Sequence, residues 1–133
     1  MPQLSRKKSR SAFWILLLCG AFFTIPMQLF LPWWVIVPFG CMLGFLFRDK
    51  VAMPFLAGFL ALLFQWNVVA YLLDASNNSI LSQRIAVLLS LPGGSNSVIL
   101  LTGILGGLLM GSAQLSGSLF GKLFFPKANN NYY

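Results

Sequence analysis

The feature that most limits how this chain can fold is an uncharged, mostly apolar stretch that runs from Ala12 to Phe47 between two basic clusters. As a single α-helix this stretch would be roughly 54 Å long, whereas the hydrocarbon core of a bilayer is only about 30 Å thick. We therefore expect two membrane-crossing helices joined by a tight turn. Pro32 marks that turn, because proline cannot continue a helix but suits the first turn of the next one. Trp33 and Trp34 follow at once, and tryptophan is enriched at the membrane–water interface.

The composition of the whole chain agrees with a lipid environment. Of its 133 residues, 58% are apolar and 8% are charged, whereas a soluble domain carries about 25% charged residues. We predict a single all-α domain over residues 1–133, a polytopic membrane protein with four transmembrane helices and a short outer interfacial amphipathic helix. The predicted spans are about 12–30, 33–47, 51–73 and 98–120, and the interfacial helix covers about 80–91. The interfacial segment is too short to cross a bilayer, and its polar residues recur near helical spacing.

The basic residues predict the orientation of the chain. With four spans and a cytoplasmic N-terminus, the outer side holds only Arg84, and the cytoplasmic side holds Arg6, Lys7, Lys8, Arg10, Arg48, Lys50, Lys122 and Lys127. This bias is typical of multi-pass proteins of the bacterial cytoplasmic (inner) membrane, and it places both termini in the cytoplasm. The net charge of +7 does not indicate nucleic-acid binding, since the sequence lacks a basic stripe with interleaved aromatic residues.

The chain is poor in groups that perform chemistry. It has no histidine, and its only carboxylates, Asp49 and Asp74, fall at predicted helix ends. Histidine is the commonest metal ligand and the usual general base near neutral pH. Cys19 and Cys41 have similar predicted depths, which leaves a redox pair or metal site open, although two small core residues are the simpler interpretation. We therefore expect no enzyme activity, no cofactor and no metal.

Small residues form two rows on the last predicted helix. Each row repeats every four residues, with Gly103, Gly107 and Gly111 in the first and Ala113, Gly117 and Gly121 in the second. Such rows let the backbone of another helix approach closely. Two rows exceed what one neighbour within the chain requires, so we expect at least one of them to contact another molecule. Packing of both rows within the same chain is the alternative.

Polar side chains form a stripe on the third predicted helix. Asn67, Tyr71 and Asp74 follow one another at helical spacing and therefore share a face. The stripe could line a water-filled path or bind a lipid headgroup, or it could supply ordinary interhelical hydrogen bonds. Gln65 and Gln114 lie off the stripe and need partners within the bundle or in another subunit.

Two functions from different classes fit these features. The favoured one is a non-catalytic structural or accessory subunit that packs into a larger membrane protein assembly. Its partners would be other membrane protein subunits or a second copy of the chain, together with membrane lipids. The alternative is a small homo-oligomeric channel or carrier whose polar stripe lines the path. In both cases we expect Asp74 and Arg84, the only charges of the outer segment, to tolerate an exchange of their positions.

Overall fold

The computed structural model describes the backbone of residues 2–46 and 52–124 and the side chains of residues 11–46 and 52–124. About 90% of the described residues are helical and none of them lies in a strand, which confirms the all-α class. The helices within these ranges are α1 (Pro2–Phe30), α2 (Ile36–Leu46), α3 (Ala52–Ser76), α4 (Ile80–Leu88) and α5 (Ser95–Phe124), and a 3₁₀ turn at Trp33–Val35 precedes α2.

Three segments of the described chain are long and apolar enough to cross a bilayer: Ser11–Phe30 within α1, Ala52–Ser76 and Ser95–Phe124. They support the prediction of a multi-pass membrane protein. The remaining predicted span corresponds to the shorter apolar segment Trp33–Leu46. That segment covers roughly 20 Å, less than the thickness of the hydrocarbon core. Because residues 47–51 lie outside the described part of the chain, the count of four spans remains a prediction.

The helix ends differ from the predicted ones. α1 begins at Pro2 rather than near residue 12, because the Lys, Arg and Leu residues of the basic segment also favour a helix. α3 and α5 run past their predicted ends as well. α4 ends early, at Leu88, because Ser90 adopts a left-handed backbone conformation with φ of 50°. This conformation cannot continue a right-handed helix.

The turn predicted at Pro32 is present. The N–H of Leu31 still donates to the carbonyl oxygen of Met27 at 2.8 Å, and Pro32 then adopts an extended conformation with ψ of 147°. Helical structure resumes at Trp33. Both Trp33 and Trp34 are exposed on the outside of the protein, as expected of side chains at a membrane–water interface.

α5 is the centre of the bundle. α2, α3 and α4 all pack against it, whereas α1 packs mainly against α3. α1 and α3 run parallel, since Gly20 lies beside Ala61 and, one turn further on, Thr24 donates a hydrogen bond to Gln65. The buried apolar core consists of Leu16, Ile36, Leu43, Ala57, Leu62 and Met110.

The outside of the bundle is apolar on every long helix. Exposed side chains include Phe22 and Leu29 of α1, Phe64 of α3 and Leu105 of α5. In water so large an apolar surface would cause aggregation. In a bilayer the lipid tails cover it, so the exposed surface agrees with the membrane location.

Candidate functional site in the helix core

The first glycine row of α5 packs against the backbone of α3. A Cβ atom on any of its three glycines would lie within about 3 Å of a carbonyl oxygen; the pairs are Gly103–Leu63 (2.9 Å), Gly107–Phe59 (2.8 Å) and Gly111–Phe55 (3.0 Å). The two series run in opposite directions in steps of four residues, so α3 and α5 are antiparallel in a constant register. Contacts this close bring Cα–H groups next to carbonyl oxygens, the arrangement of weak hydrogen bonds between helices.

The second row packs against α2 by a reciprocal arrangement. A Cβ atom on Gly117 would overlap the carbonyl oxygen of Cys41, and a Cβ atom on Gly44 would overlap the carbonyl oxygen of Gln114. Each helix thus places a glycine against the backbone of the other. Ala113 takes part as well, since its Cβ would lie only 2.9 Å from a Cβ on Gly40. Close small-residue crossings of this kind are common between transmembrane helices.

Both small-residue rows therefore lie against helices of the same chain, and Gly121 at the end of the second row is buried too. The exposed side of α5 is a third face, with Ser112 and Ser116 near its centre. Their hydroxyls donate to the carbonyl oxygens of Leu108 and Ser112 at 2.7 and 2.8 Å. The sequence shows these serines as additional small residues, but it does not show that their face is the one left open.

The polar stripe of α3 is not brought together at one site. The amide nitrogen of Asn67 donates to the carbonyl oxygen of Leu63 at 2.8 Å, and its side chain packs against Gly103 of α5. Tyr71 is 61% exposed on the outside of the bundle. Asp74 lies at the end of α3, against α4 and the start of α5. The three side chains thus have three different surroundings.

Asp74 accepts hydrogen bonds from three serine hydroxyls. Ser79 and Ser95 donate to its Oδ2 at 2.7 and 2.6 Å, and Ser82 donates to its Oδ1. Ser79 precedes α4, and Ser95 is the first residue of α5. The carboxylate therefore ties the end of α3 to the starts of two helices, where the helix dipole favours a negative charge. We refer to Asp74, Ser79, Ser82 and Ser95 as the serine cluster.

α4 turns small residues inward and apolar residues outward. Ser82 and Ala86 are buried, whereas Leu81, Val87 and Leu88 are largely exposed. Arg84 is exposed among them. The hydrogen bonds to Asp74 come from the three serines of the cluster. An arginine at position 74 could not accept the three serine hydrogen bonds, so the structure does not favour the expected tolerance to exchanging Asp74 and Arg84.

Several polar side chains lie inside the bundle. Thr24 of α1 donates to the amide oxygen of Gln65 of α3, so Gln65 finds its partner within the chain. Gln114 and Ser118 of α5 are both 0% exposed. Within the described residues, neither amide atom of Gln114 nor the hydroxyl of Ser118 has a hydrogen-bond partner. The need of Gln114 for a partner can be read from the sequence, but its place at the meeting point of several helices cannot.

In the part of the chain that the structure describes, the cysteine and acidic side chains form neither a disulfide nor a metal-binding cluster. Cys19 and Cys41 carry free thiols. No three His, Cys, Asp or Glu side chains come together among the described residues in a way that could hold a metal ion. Three polar features of the described bundle are thus candidates for a functional role: the serine cluster, the buried Gln114 and the open serine face of α5.

Comparison with known proteins adds no relative. No protein family model, no curated protein and no solved structure matches this chain. The functional interpretation therefore rests on the residues and their geometry.

Proposed function

We propose that this protein is a non-catalytic subunit of a larger membrane protein assembly, and that it binds its partner through the exposed face of α5. The supporting observation is that Ser112 and Ser116 present small side chains, four residues apart, on a helix whose other two small faces are filled by α2 and α3. The partner would be a transmembrane helix of another subunit.

The shape of this face suits a second helix. The exposed leucines Leu108, Leu109 and Leu119 flank the two serines, so the small residues form a shallow groove between larger side chains. Because both hydroxyls are bonded to their own helix, they impose no desolvation cost on a partner that covers them. Close approach of backbones over small residues is a main source of association between helices in lipid.

A channel or carrier lined by the α3 stripe has less support. Of the three stripe residues, Asn67 faces a helix interface, Tyr71 faces the outside of the bundle, and Asp74 belongs to the serine cluster. These different surroundings do not give one continuous polar lining along α3.

We expect the double substitution Ser112→Leu and Ser116→Leu to remove the partner from the purified protein while the monomer stays folded and inserted. Leucine suits both helices and lipid, but it fills the groove. Native mass spectrometry in mild detergent measures the bound partner per inserted chain. The matched control is Val68→Leu, which adds bulk at an exposed position of α3 and should leave association unchanged. Equal partner content in the double variant and the wild type would rule out this face.

We further propose that both termini are cytoplasmic in a bacterial inner membrane and that α4 lies in the outer interface. The positive-inside distribution of basic residues supports this orientation, and so do the exposed apolar side chains of α4.

Cysteine labelling tests the orientation in intact cells after replacement of Cys19 and Cys41. We expect a membrane-impermeant reagent to label Ser76→Cys but not Ser5→Cys, because residue 76 would lie outside and residue 5 inside. Both positions should react after the cells are opened, which serves as the control. Labelling of position 5 alone in intact cells would reverse the proposed orientation.

A further inference from the structure

Arg84 lies at the centre of the exposed face of α4. Residues three and four positions away in a helix are its nearest neighbours on the helix surface. For Arg84 these neighbours are all aliphatic and more than half exposed: Ile80, Leu81, Val87 and Leu88. We call these five residues the α4 face. The opposite side of α4 is buried, and there Ser82 is bonded to Asp74. Arg84 therefore points away from the bundle, among aliphatic side chains.

The outer ends of α1 and α3 give the depth of the α4 face. α1 ends at Phe30, and the hydrogen bond six residues earlier on each helix makes this end level with Tyr71 of the parallel α3. Trp33 and Trp34 follow, so three exposed Tyr and Trp side chains lie near one level, as is typical of a membrane–water interface. Asp74, to which α4 is bonded, comes roughly 4.5 Å after Tyr71 along the helix axis. The α4 face is therefore level with phospholipid headgroups.

A counter-ion for Arg84 has to come from outside this part of the chain. Asp74 is the only acidic side chain after residue 50, and both of its oxygens accept hydrogen bonds from serines on the other side of α4. A charge among aliphatic side chains is costly unless it is paired. The planar guanidinium group, with its five donors, matches the geometry of a phosphate.

We propose that the α4 face binds an anionic phospholipid of the surrounding bilayer. The headgroup phosphate would pair with Arg84, and the acyl chains would lie on the four aliphatic side chains. The face lacks the small residues over which two helices approach closely, so it suits a lipid better than a partner helix. A zwitterionic headgroup would bring its own cation near the guanidinium group, which opposes binding. This inference rests on the proposed location of α4 in the interface, but not on the orientation of the chain or on the α5 contact.

Quenching by brominated lipids reports which lipids lie beside the α4 face. The full chain, with Cys19 and Cys41 replaced, carries a bimane fluorophore on Leu88→Cys, one helical turn from Arg84. Two vesicle preparations have the same headgroups, phosphatidylcholine with about 20% phosphatidylglycerol. The bromine is on the phosphatidylglycerol in one preparation and on an equal amount of phosphatidylcholine in the other. We expect stronger quenching by brominated phosphatidylglycerol, equivalent to about a fivefold preference. Both leaflets are alike, so the result does not depend on the orientation.

The matched variants separate Arg84 from charge in general. Arg84→Gln should keep the unfolding temperature of the wild type, since Arg84 is exposed, and should abolish the preference. Arg84→Lys keeps the charge and should retain part of the preference. Lys122→Gln removes the same charge near the other end of α5 and should change nothing at position 88. A bimane on Leu31→Cys, exposed near the turn between α1 and α2, should be quenched equally by both lipids. Should the label on position 88 unfold the protein, Val87→Cys takes its place.

Each contrary result overturns the proposal in a distinguishable way. Equal quenching by the two lipids in the wild type would leave α4 in the interface without a preference for anionic lipid. Absence of quenching by either lipid would contradict the location of α4 as well. A preference that persists in Arg84→Gln would assign lipid binding to other groups. Loss of a bound subunit from Arg84→Gln in native mass spectrometry, with equal quenching in the wild type, would instead assign Arg84 to an acidic side chain of that subunit.

Discussion

Gly117→Ala and Gly44→Ala are each expected to destabilise the monomer severely, although each adds only one methyl group. In both cases the new Cβ atom would overlap a backbone carbonyl oxygen of the facing helix, that of Cys41 or of Gln114. A backbone cannot rotate away as a side chain can, so α2 and α5 would have to separate. Overpacking typically costs about 1–3 kcal/mol, and we expect the upper end of this range or more. Thermal unfolding in detergent and the amount of inserted protein measure the effect.

Gly20→Ala provides the control for these two substitutions. It makes the same chemical change in a transmembrane helix, but its Cβ atom would have its closest neighbour at 3.4 Å. We expect it to be as stable as the wild type or slightly more so, since alanine favours a helix over glycine by about 1 kcal/mol. If Gly117→Ala and Gly44→Ala were as stable as Gly20→Ala, the described crossing of α2 and α5 would be incorrect.

Some parts of the fold can be read from the sequence, and others cannot. The all-α class and the turn at Pro32 follow from local properties, namely the long uncharged stretch and the missing N–H of proline. The helix ends are less predictable, because residues that favour a helix continue it beyond the bilayer, as α1 does before Ser11. The apolar segment that contains α2 is instead shorter than its predicted span, so the described helices do not establish the fourth crossing of the membrane.

The sequence does not show which residues the polar and small side chains contact. The four-residue spacing of Gly103, Gly107 and Gly111 is visible without a structure, but the choice between an internal and an external neighbour depends on the register of helices distant in sequence. The same holds for Gln114, whose surroundings come from α1, α2 and α3. Asn67 and Tyr71 share a face of α3, yet their side chains have different surroundings. Helical spacing gives side chains a common direction, but it does not show where the neighbouring helix ends.

The serine cluster gives the second large expected effect. Asp74→Ala would leave the hydroxyls of Ser79, Ser82 and Ser95 without their common acceptor and remove the charge near the starts of α4 and α5. We expect α4 to detach from the bundle while the long helices stay packed. Ala86 reports this opening because it is only 2% exposed. In a protein lacking its native cysteines, Ala86→Cys should react with a soluble thiol reagent about tenfold faster when Asp74→Ala is added.

Two further substitutions separate the role of this carboxylate from that of outer charge in general. Asp74→Asn keeps one acceptor oxygen and the shape of the side chain but loses the charge, so its labelling rate should fall between those of the wild type and Asp74→Ala. Arg84→Ala removes the other charge of the segment, yet Arg84 is exposed on the opposite side of α4 from the buried Ser82 and Ala86, and it should leave the rate unchanged. Charge-assisted hydrogen bonds are stronger than neutral ones, which gives the expected order. Equal protection of position 86 in Asp74→Ala and in the wild type would show that α4 is held by its apolar contacts and not by the cluster.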